Sequence, residues 1–261
     1  MSVDHVLVDR DDLNIVTITL NRPDKLNALT KTMWSRLGDL FRELSADESV
    51  RCIVMTGAGG KAFSPGNDIS EFETDRSNSK QASVYGALMA RNIDAMRDCP
   101  HPKVAAIRGI CVGGGMEIAG LCDIRICGES SRFGVPISKL GLVMGYHEIG
   151  ALKSLVGAGT ALEILLEGRV FDAEEAQRLG VVSRIVTDDC VMTEARAAAE
   201  RVAAGAPLVH RWHRKFLQRL EDPAPLTPEE IEEAYACFDT EDFQTGYQAF
   251  LNKKTPAFKG R

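Results

Sequence analysis

An α/β fold is predicted from two features of the sequence. Between residues 50 and 130, short runs of buried-type strand residues alternate with helical patterns in the order strand, helix, strand, short helix, strand. Such alternation is typical of strands that are joined by helical crossovers. From residue 159 to the end of the chain the pattern is mostly helical. The 261 residues are enough to bury a sizeable core without disulfides or metals.

The predicted elements begin with a β-hairpin. HVLVDR (5–10) and IVTITL (15–20) are strand-like runs that are separated by the turn-forming DDLN. Pro23 ends the second strand. Thr30 is placed to cap a helix that runs to about residue 46, within which apolar residues keep helical spacing.

The remaining elements follow along the chain. Strands are predicted at 52–57, 103–109 and 122–128. Short helices are predicted after the glycines at 113–115 and at 172–180, and further helices at 80–98, 190–204, 208–220, 228–238 and 242–252. Asp172 is the predicted cap of the helix that Gly180 ends. Thr227 with Glu230 fits a capping box at the start of a later helix.

The composition argues against several classes of protein. A net charge of −6 and a pI of about 5.5 disfavour electrostatic binding to nucleic acid or to a membrane surface. No apolar run reaches about 18 residues, so no membrane span is predicted. The seven cysteines include no C-x-x-C pair and several lie in apolar runs, which indicates reduced thiols in a cytoplasmic protein.

Three well-known catalytic motifs each fail at one or two positions. TGAGGKAF lacks the first glycine and the final Ser or Thr of a phosphate-binding loop. GGGMEIAG has Ile118 where a dinucleotide fingerprint needs glycine, and HEIGA has Ala151 where a zinc helix needs histidine. A P-loop enzyme, a Rossmann enzyme and a zinc protease are therefore not supported, and no metal site is predicted.

The segment GICVGGGMEIAGLCD (109–123) is the first candidate site. Its order of strand, glycines and helix leaves helix-starting amides, and Gly114 can offer one to a developing oxyanion. The same glycines also fit a tight packing joint. Glu117 lies in the first turn, where the helix dipole favours a carboxylate; apolar neighbours would raise its pKa toward that of a general acid or base. A second glycine-rich loop, KAFSPGNDISEF (61–72), offers another backbone amide after Gly66.

Five segments spread along the chain match one known family. They are LNRPDKLNAL (20–29), KAFSPGNDI (61–69), GICVGGGMEIAGLCDIRIC (109–127), FGVPISKLGLVMG (133–145) and GRVFDAEEAQRLGVVSRIV (168–186). On these segments the chain resembles the crotonase, or enoyl-CoA hydratase/isomerase, superfamily. The resemblance implies a crotonase-like spiral of ββα units over residues 1–200 and a helical C-terminal trimerisation region over 201–261. It also implies a homotrimer or a dimer of trimers.

The resemblance further implies roles for individual residues. Asn67 and Gly114 correspond to the donors of two oxyanion amides, and Glu117 corresponds to one of two catalytic glutamates of the hydratases. An acyl-CoA or enoyl-CoA is the implied substrate, so coenzyme A belongs to the substrate and no separate cofactor is expected. The residues implied to contact it are Lys25, Ala62, Asp68, Ile69, Ser70, Phe250 and Lys253. Residues 70–85 are expected to shape the acyl pocket.

The sequence departs from the family at the second glutamate. That position is Ile137, and a further acidic position of related enzymes is Gly145. The polar residues that follow are Tyr146, His147 and Glu148. They are either a substitute acid or the polar start of a helix. An enoyl-CoA hydratase with Glu117 as acid and base is the first hypothesis; an enoyl-CoA isomerase, an acyl-CoA decarboxylase and a non-catalytic acyl-CoA-binding protein are the alternatives.

Overall fold

Two β-sheets form the centre of this computed structural model, which describes residues 4–261. The strands are β1 (Val6–Arg10), β2 (Ile15–Leu20), β3 (Cys52–Gly57), β4 (Ala62–Ser64), β5 (Lys103–Ile107), β6 (Ile110–Val112), β7 (Ile124–Gly128), β8 (Arg132–Gly134), β9 (Val170–Asp172) and β10 (Arg184–Val186). The helices are α1 (Lys31–Ser45), α2 (Phe72–Asp75), α3 (Ser79–Asp98), α4 (Gly114–Gly120), α5 (Tyr146–Glu167), α6 (Ala173–Arg178), α7 (Val191–Ala203), α8 (Pro207–Arg219), α9 (Pro228–Glu233) and α10 (Glu241–Leu251).

The strand order produces a spiral. The larger sheet has the order β1-β2-β3-β5-β7-β10, and the smaller sheet has the order β4-β6-β8-β9. The strands from β2 to β10 in the larger sheet are parallel. In three consecutive units, β3/β4, β5/β6 and β7/β8, the first strand enters the larger sheet and the second enters the smaller one; α3, α4 and α5 follow in turn. The predicted α/β spiral of ββα units is confirmed.

The larger sheet is covered by helices on both faces. Ile53 and Met55 of β3 pack in one core with side chains of α1 and α3. Val54 of the same strand pairs with Val104 of β5, and both pack in a second core with α7. Successive strand residues point to opposite faces, so the central strands β3 and β5 are buried along most of their length.

The predicted hairpin and helix caps are confirmed. β1 and β2 pair in antiparallel register. The Thr30 hydroxyl accepts the amide N–H three residues later at 3.2 Å, and the Asp172 carboxylate does the same for α6 at 2.9 Å. Thr227 and Glu230 form the reciprocal capping box of α9. These local signals work because each satisfies amides that the first helical turn leaves unpaired.

Other predictions need correction. The helix expected at 228–238 ends at Glu233, because a 3₁₀ turn over Ala236–Asp239 brings the chain to Thr240, the extended cap of α10. The short strands β4, β6, β8, β9 and β10 were not predicted, since three residues are too few to show a period of two.

The longest described helix, α5, was also not predicted. Gly157 leaves the helical conformation, with φ +77°, so the apolar pattern is interrupted in the middle. By length and composition α5 is long and apolar enough to cross a bilayer. The same composition suits a helix that packs on other helices, and α5 contacts α3 and α4.

The C-terminal helices lie beside the sheets. The expected domain boundary at residue 200 falls within α7, which packs against β3 and β5. α8 is tied to the sheet region by Arg214, which forms an ion pair with Asp123 and donates to the Cys99 carbonyl at 3.2 Å. α8 and α10 expose large apolar side chains, namely Leu217, Leu220, Tyr247, Phe250 and Leu251.

Candidate active site

Two glycine-rich loops from different ββα units meet at one end of the spiral. One loop follows β4 and contains Gly66; the other follows β6 and leads through Gly113 into α4 at Gly114. Gly66 has φ +99°, and a β-carbon there would lie 2.9 Å from the Gly114 amide nitrogen. The backbones approach so closely that only glycine fits at position 66. Residues that are nearly fifty positions apart in sequence thus become neighbours.

Both loops leave an amide N–H free. The Gly66 N–H is taken by the Ser64 hydroxyl at 3.1 Å. Within residues 4–261, no acceptor takes the N–H of Asn67 or of Gly114. Gly114 is the first residue of α4, where no intrahelical acceptor exists. Asn67 lies in a parallel bridge to Leu29, in which the Gly66 carbonyl accepts the Leu29 N–H and the Asp68 N–H donates to the Leu29 carbonyl.

Trp34 holds the two loops in place. Its indole Nε1–H donates to the Asn67 side-chain Oδ1 at 2.6 Å, and the tryptophan is fully buried. The same ring lies under the second loop, because its Cζ2 would be 3.2 Å from a β-carbon at Gly114. Trp34 is therefore a positioning residue for both amides. No sequence pattern indicates this role, since Trp34 occupies an ordinary apolar position of α1.

Asn27 gives the segment LNRPDKLNAL a structural role in the site. It is fully buried with φ +64°, and its side-chain amide donates to the carbonyls of Ala58 at 3.0 Å and Ala62 at 2.8 Å. Its own carbonyl accepts the Ser64 hydroxyl at 2.9 Å. Ser64 in turn holds Gly66, so this buried network fixes the first glycine loop.

Glu117 projects from the first turn of α4 and is only 7% exposed. Its Oε1 atom is buried and has no hydrogen-bond partner within residues 4–261. Burial raises the pKa of this carboxyl group well above its ordinary value, and the negative charge of Glu148 raises it further. An unpaired, buried acid of this kind is a candidate for proton transfer.

A cavity of about 160 Å³ connects these groups. Its lining includes both loops and Glu117 on one side, and the segment after β8 on the other. That second side is largely apolar and consists of Val135, Pro136, Ile137, Leu140, Leu142 and Met144, with Glu148 as its carboxylate. Ile137, the residue at the second glutamate position, therefore faces the cavity and offers no proton-transfer group.

The three polar residues after Gly145 separate in the structure. All three lie in the first turn of α5, as the helix-start interpretation expects, but only Tyr146 and His147 lie away from the glycine loops. Tyr146 is 94% exposed, and His147 bonds Asp94 at 3.0 Å; both line a larger cavity of about 570 Å³ that neither glycine loop reaches. Glu148 instead lines the same cavity as Glu117 and accepts the backbone N–H at the start of its own helix.

Four of the predicted site residues line the smaller cavity, namely Asn67, Ile69, Gly114 and Glu117. Asp68 and Ser70 bond each other beside it, with the Ser70 hydroxyl donating to Asp68 at 2.7 Å. Asp68 also pairs with Arg22 at 3.0 Å. The Ser70 hydrogen bond, together with the Arg22 charge, lowers the pKa of Asp68, so these residues first of all fix the loop.

The other residues predicted to contact coenzyme A lie away from that cavity. Ala62 is buried in β4, and its carbonyl accepts the Asn27 side chain. Lys25 is exposed in a 3₁₀ turn. Phe250, which is 83% exposed, and Lys253 lie at the end of α10. Their contact with coenzyme A stays a prediction.

The sequence and the fold were compared with those of known proteins. The profile of the family described as enoyl-CoA hydratase/isomerase matches residues 10–261. The short-chain-enoyl-CoA hydratase of Clostridium acetobutylicum is 31% identical over 100% of both chains, and a probable enoyl-CoA hydratase of Mycobacterium bovis is 33% identical over the same shares. The crystal structure of an enoyl-CoA hydratase/carnithine racemase from Magnetospirillum magneticum superposes with a TM-score of 0.96, at 47% identity, and covers 100% of this chain and 97% of that one.

Proposed function

Because this chain belongs to the enoyl-CoA hydratase/isomerase family, we propose that this enzyme adds water to a short-chain 2-enoyl-CoA thioester. The observation that carries the proposal is the meeting of three groups at one cavity. The free amides of Asn67 and Gly114 and the buried, unpaired carboxyl group of Glu117 all line it. Two donors and an acid are the groups that conjugate addition to a thioester needs.

The two amides act on the thioester oxygen. When water adds to Cβ of the enoyl group, the electrons of the C=C bond move toward the carbonyl and the oxygen becomes an enolate. N–H groups that are already fixed stabilise that charge without further reorganisation. Trp34 and the Asn27 network supply the fixed geometry. Each such donor typically contributes about 10²–10³ in rate.

Glu117 acts as the acid in hydration. Burial and the Glu148 charge favour its neutral form, so it carries a proton that it can deliver to Cα of the enolate. The reverse reaction uses the same group as base. Its position in the first turn of α4 puts the carboxyl group beside the Gly114 amide that holds the thioester.

Glu148 is the second carboxylate. It lines the cavity with Glu117 and is near enough for its charge to raise the pKa of that group. We assign to it the proton of the attacking water: the water O–H bond breaks, its oxygen bonds Cβ, and the proton passes to Glu148. Pairs of carboxyl groups whose environments differ commonly divide acid and base work in this way. Ile137 then needs no proton-transfer role.

The cavity volume supports a small acyl group. A volume of about 160 Å³ leaves room for a short acyl chain. Isomerisation would need Glu117 alone, moving a proton between Cα and Cγ, and decarboxylation would need only the amides. The second carboxylate in the cavity favours hydration over both.

Assembly and compartment belong to the same proposal. The exposed apolar side chains of α8 and α10 favour packing against further copies in a trimer, which would bring Phe250 and Lys253 to a neighbour's coenzyme A. All seven cysteines are free, and five of them are buried, which favours the reducing cytoplasm.

Crotonyl-CoA provides the test. We expect the pure protein to remove the enoyl absorbance and to form 3-hydroxybutyryl-CoA. Glu117→Gln should lower kcat by about 10²–10⁴, the usual contribution of an acid–base group. Glu129→Gln, at an exposed glutamate without an ion pair within residues 4–261, is the matched control and should keep the wild-type rate. Undiminished hydration by Glu117→Gln, or tight acyl-CoA binding without turnover, would refute the proposal.

A further inference from the structure

Arg76 brings a positive charge to the acyl side of the cavity. It lines the cavity together with the two oxyanion loops and Glu117. Its guanidinium carbon lies 4.7 Å from the centre of the Phe72 ring and 4.8 Å from the centre of the Tyr85 ring. Tyr85 is buried in α3, so one of the two rings is itself fixed by the core. The two cation–π contacts hold the guanidinium in place.

This guanidinium has no carboxylate partner. Within residues 4–261, no acidic side chain lies within 4.0 Å of its nitrogens. The acids on either side of it in sequence are engaged elsewhere: Glu71 accepts the Lys31 backbone N–H at 2.8 Å, and Asp75 pairs with the Lys31 ammonium. The cavity carboxylate Glu148 accepts the amide at the start of α5. Many other arginines of the chain, by contrast, form ion pairs.

We propose that Arg76 binds a carboxylate at the far end of the acyl group, and that the preferred substrates are 2-enoyl-CoA thioesters of short dicarboxylic acids. This inference rests on the proposed function in one respect, that the acyl group enters this cavity. A guanidinium presents N–H donors along its planar edge in a fork that fits the two oxygens of a carboxylate. The ring contacts hold the guanidinium by its centre, and its N–H donors remain for the ligand.

The position of Arg76 favours the acyl carboxylate over the phosphates of coenzyme A. The cavity that it lines begins at the amides of Asn67 and Gly114, which hold the thioester oxygen, and a chain of few atoms fills it. The phosphates lie at the other end of the pantetheine arm, away from the thioester. Phe72, whose ring contacts Arg76, lines the same cavity and gives the intervening methylene groups an apolar wall.

Binding of saturated thioesters, which cannot be hydrated, separates this inference from the proposed function. Succinyl-, glutaryl- and adipyl-CoA are compared by calorimetry with butyryl-, pentanoyl- and hexanoyl-CoA, which match them in chain length. We expect the carboxylated member of at least one pair to bind about 10–100-fold tighter, the usual range for a charge-assisted hydrogen-bonded pair. Its methyl ester should lose that advantage in the wild-type protein, so one arm of the test needs no variant.

Arg76→Gln should abolish the preference. The Kd values of the uncharged thioesters should stay within about threefold of those of the wild type. Arg91→Gln, at an exposed arginine of α3 outside the cavity, is the matched control and should keep the preference. Three results overturn the inference: no preference in any wild-type pair, a preference that survives Arg76→Gln, or an equal loss for all thioesters and for free coenzyme A, which would assign Arg76 to the phosphates. Failure to hydrate both crotonyl-CoA and the 2-enoyl-CoA thioesters of short dicarboxylic acids would refute the proposed function and leave this binding result intact.

Discussion

The two sides of the candidate active site are built in different ways. On one side, β6 and α4 bring Gly114 and Glu117 to the cavity from within the core, where the backbones of two loops touch. On the other side, a 3₁₀ turn and the start of α5 bring Glu148 from a segment whose Val143 is 82% exposed and Tyr146 94% exposed. Packing therefore fixes the first side, and local hydrogen bonds fix the second.

The same contrast appears in the two carboxyl groups. Glu117 has a buried oxygen without a partner and a raised pKa, whereas the Glu148 carboxylate accepts a backbone N–H. A buried acid without a partner is costly unless it is neutral or binds a ligand. Glu117, on the core side, thus holds the proton, and the negative charge of Glu148, on the surface side, favours that protonated form.

The largest effect among these tests should come from removing the Gly114 donor. Gly114→Pro deletes the N–H at the first position of a helix, where proline is tolerated. We expect kcat for crotonyl-CoA to fall by about 10²–10³. Gly114→Ala is the matched control, because its β-carbon meets the same Trp34 ring at 3.2 Å while the N–H stays. Equal rates for the two variants would mean that crowding, and not the donor, matters.

A smaller loss is expected on the surface side. Glu148→Gln removes the base and should lower kcat by about 10², at the lower end of the range for acid–base groups. Glu163→Gln, on the same helix and outside the cavity, should be neutral. Wild-type activity of Glu148→Gln would contradict this role and would mean that another group takes the proton of the attacking water.

A still smaller loss should follow from loosening the loop contact. Trp34→Phe keeps an aromatic ring and removes the 2.6 Å hydrogen bond to the Asn67 side chain. Since a hydrogen bond of this kind contributes about 1 kcal/mol, we expect kcat to fall roughly five- to tenfold with little change in KM. Trp212→Phe changes the second tryptophan, on α8, and should leave kcat unaltered. A change in Tm without a change in kcat would mean that Trp34 stabilises the core but does not position the loop amides.

The smallest effect concerns stability. The folded-state pKa of Glu117 is raised, so its contribution to stability is complete below the pKa of an unfolded glutamate, about 4.3, and is lost as the pH rises through the folded value. Glu117→Gln removes that loss. Between pH 5 and pH 8.5, the Tm of the wild type should therefore fall more steeply than that of the variant. Parallel Tm curves would mean that Glu117 is not buried as a neutral acid.

The parts of the site that are local in sequence were predictable. A strand, glycines and a helix in succession indicate free amides, and a lone acid among apolar residues indicates a shifted pKa. The local pattern thus makes Gly114 and Glu117 candidates, although a packing joint and a carboxylate favoured by the helix dipole fit it as well. The contacts that depend on the spiral fold were not predictable. The contact of Gly66 with Gly114 depends on two ββα units being stacked, and the hydrogen bond of Trp34 to Asn67 depends on α1 lying under both.

The choice among residues 146–148 was unpredictable for a related reason. Adjacent residues of a helix point about 100° apart, so which of the three faces the cavity depends on how α5 is rotated about its axis. Packing against α3 and α4 sets that rotation, with Glu148 turned inward. The helix α5 itself was not predicted, because the non-helical Gly157 interrupts it in the middle.

A double-mutant cycle in kcat for crotonyl-CoA tests most directly whether the two sides work as one unit. Wild type, Glu117→Gln, Glu148→Gln and the double variant are measured at one pH, with Tm values to confirm folding. If both groups serve a single proton-transfer process, the double variant should be no more than about threefold slower than Glu117→Gln alone. If the fold-loss in kcat of the double variant equals the product of the two single losses, the account is contradicted, because Glu117 and Glu148 would then act independently.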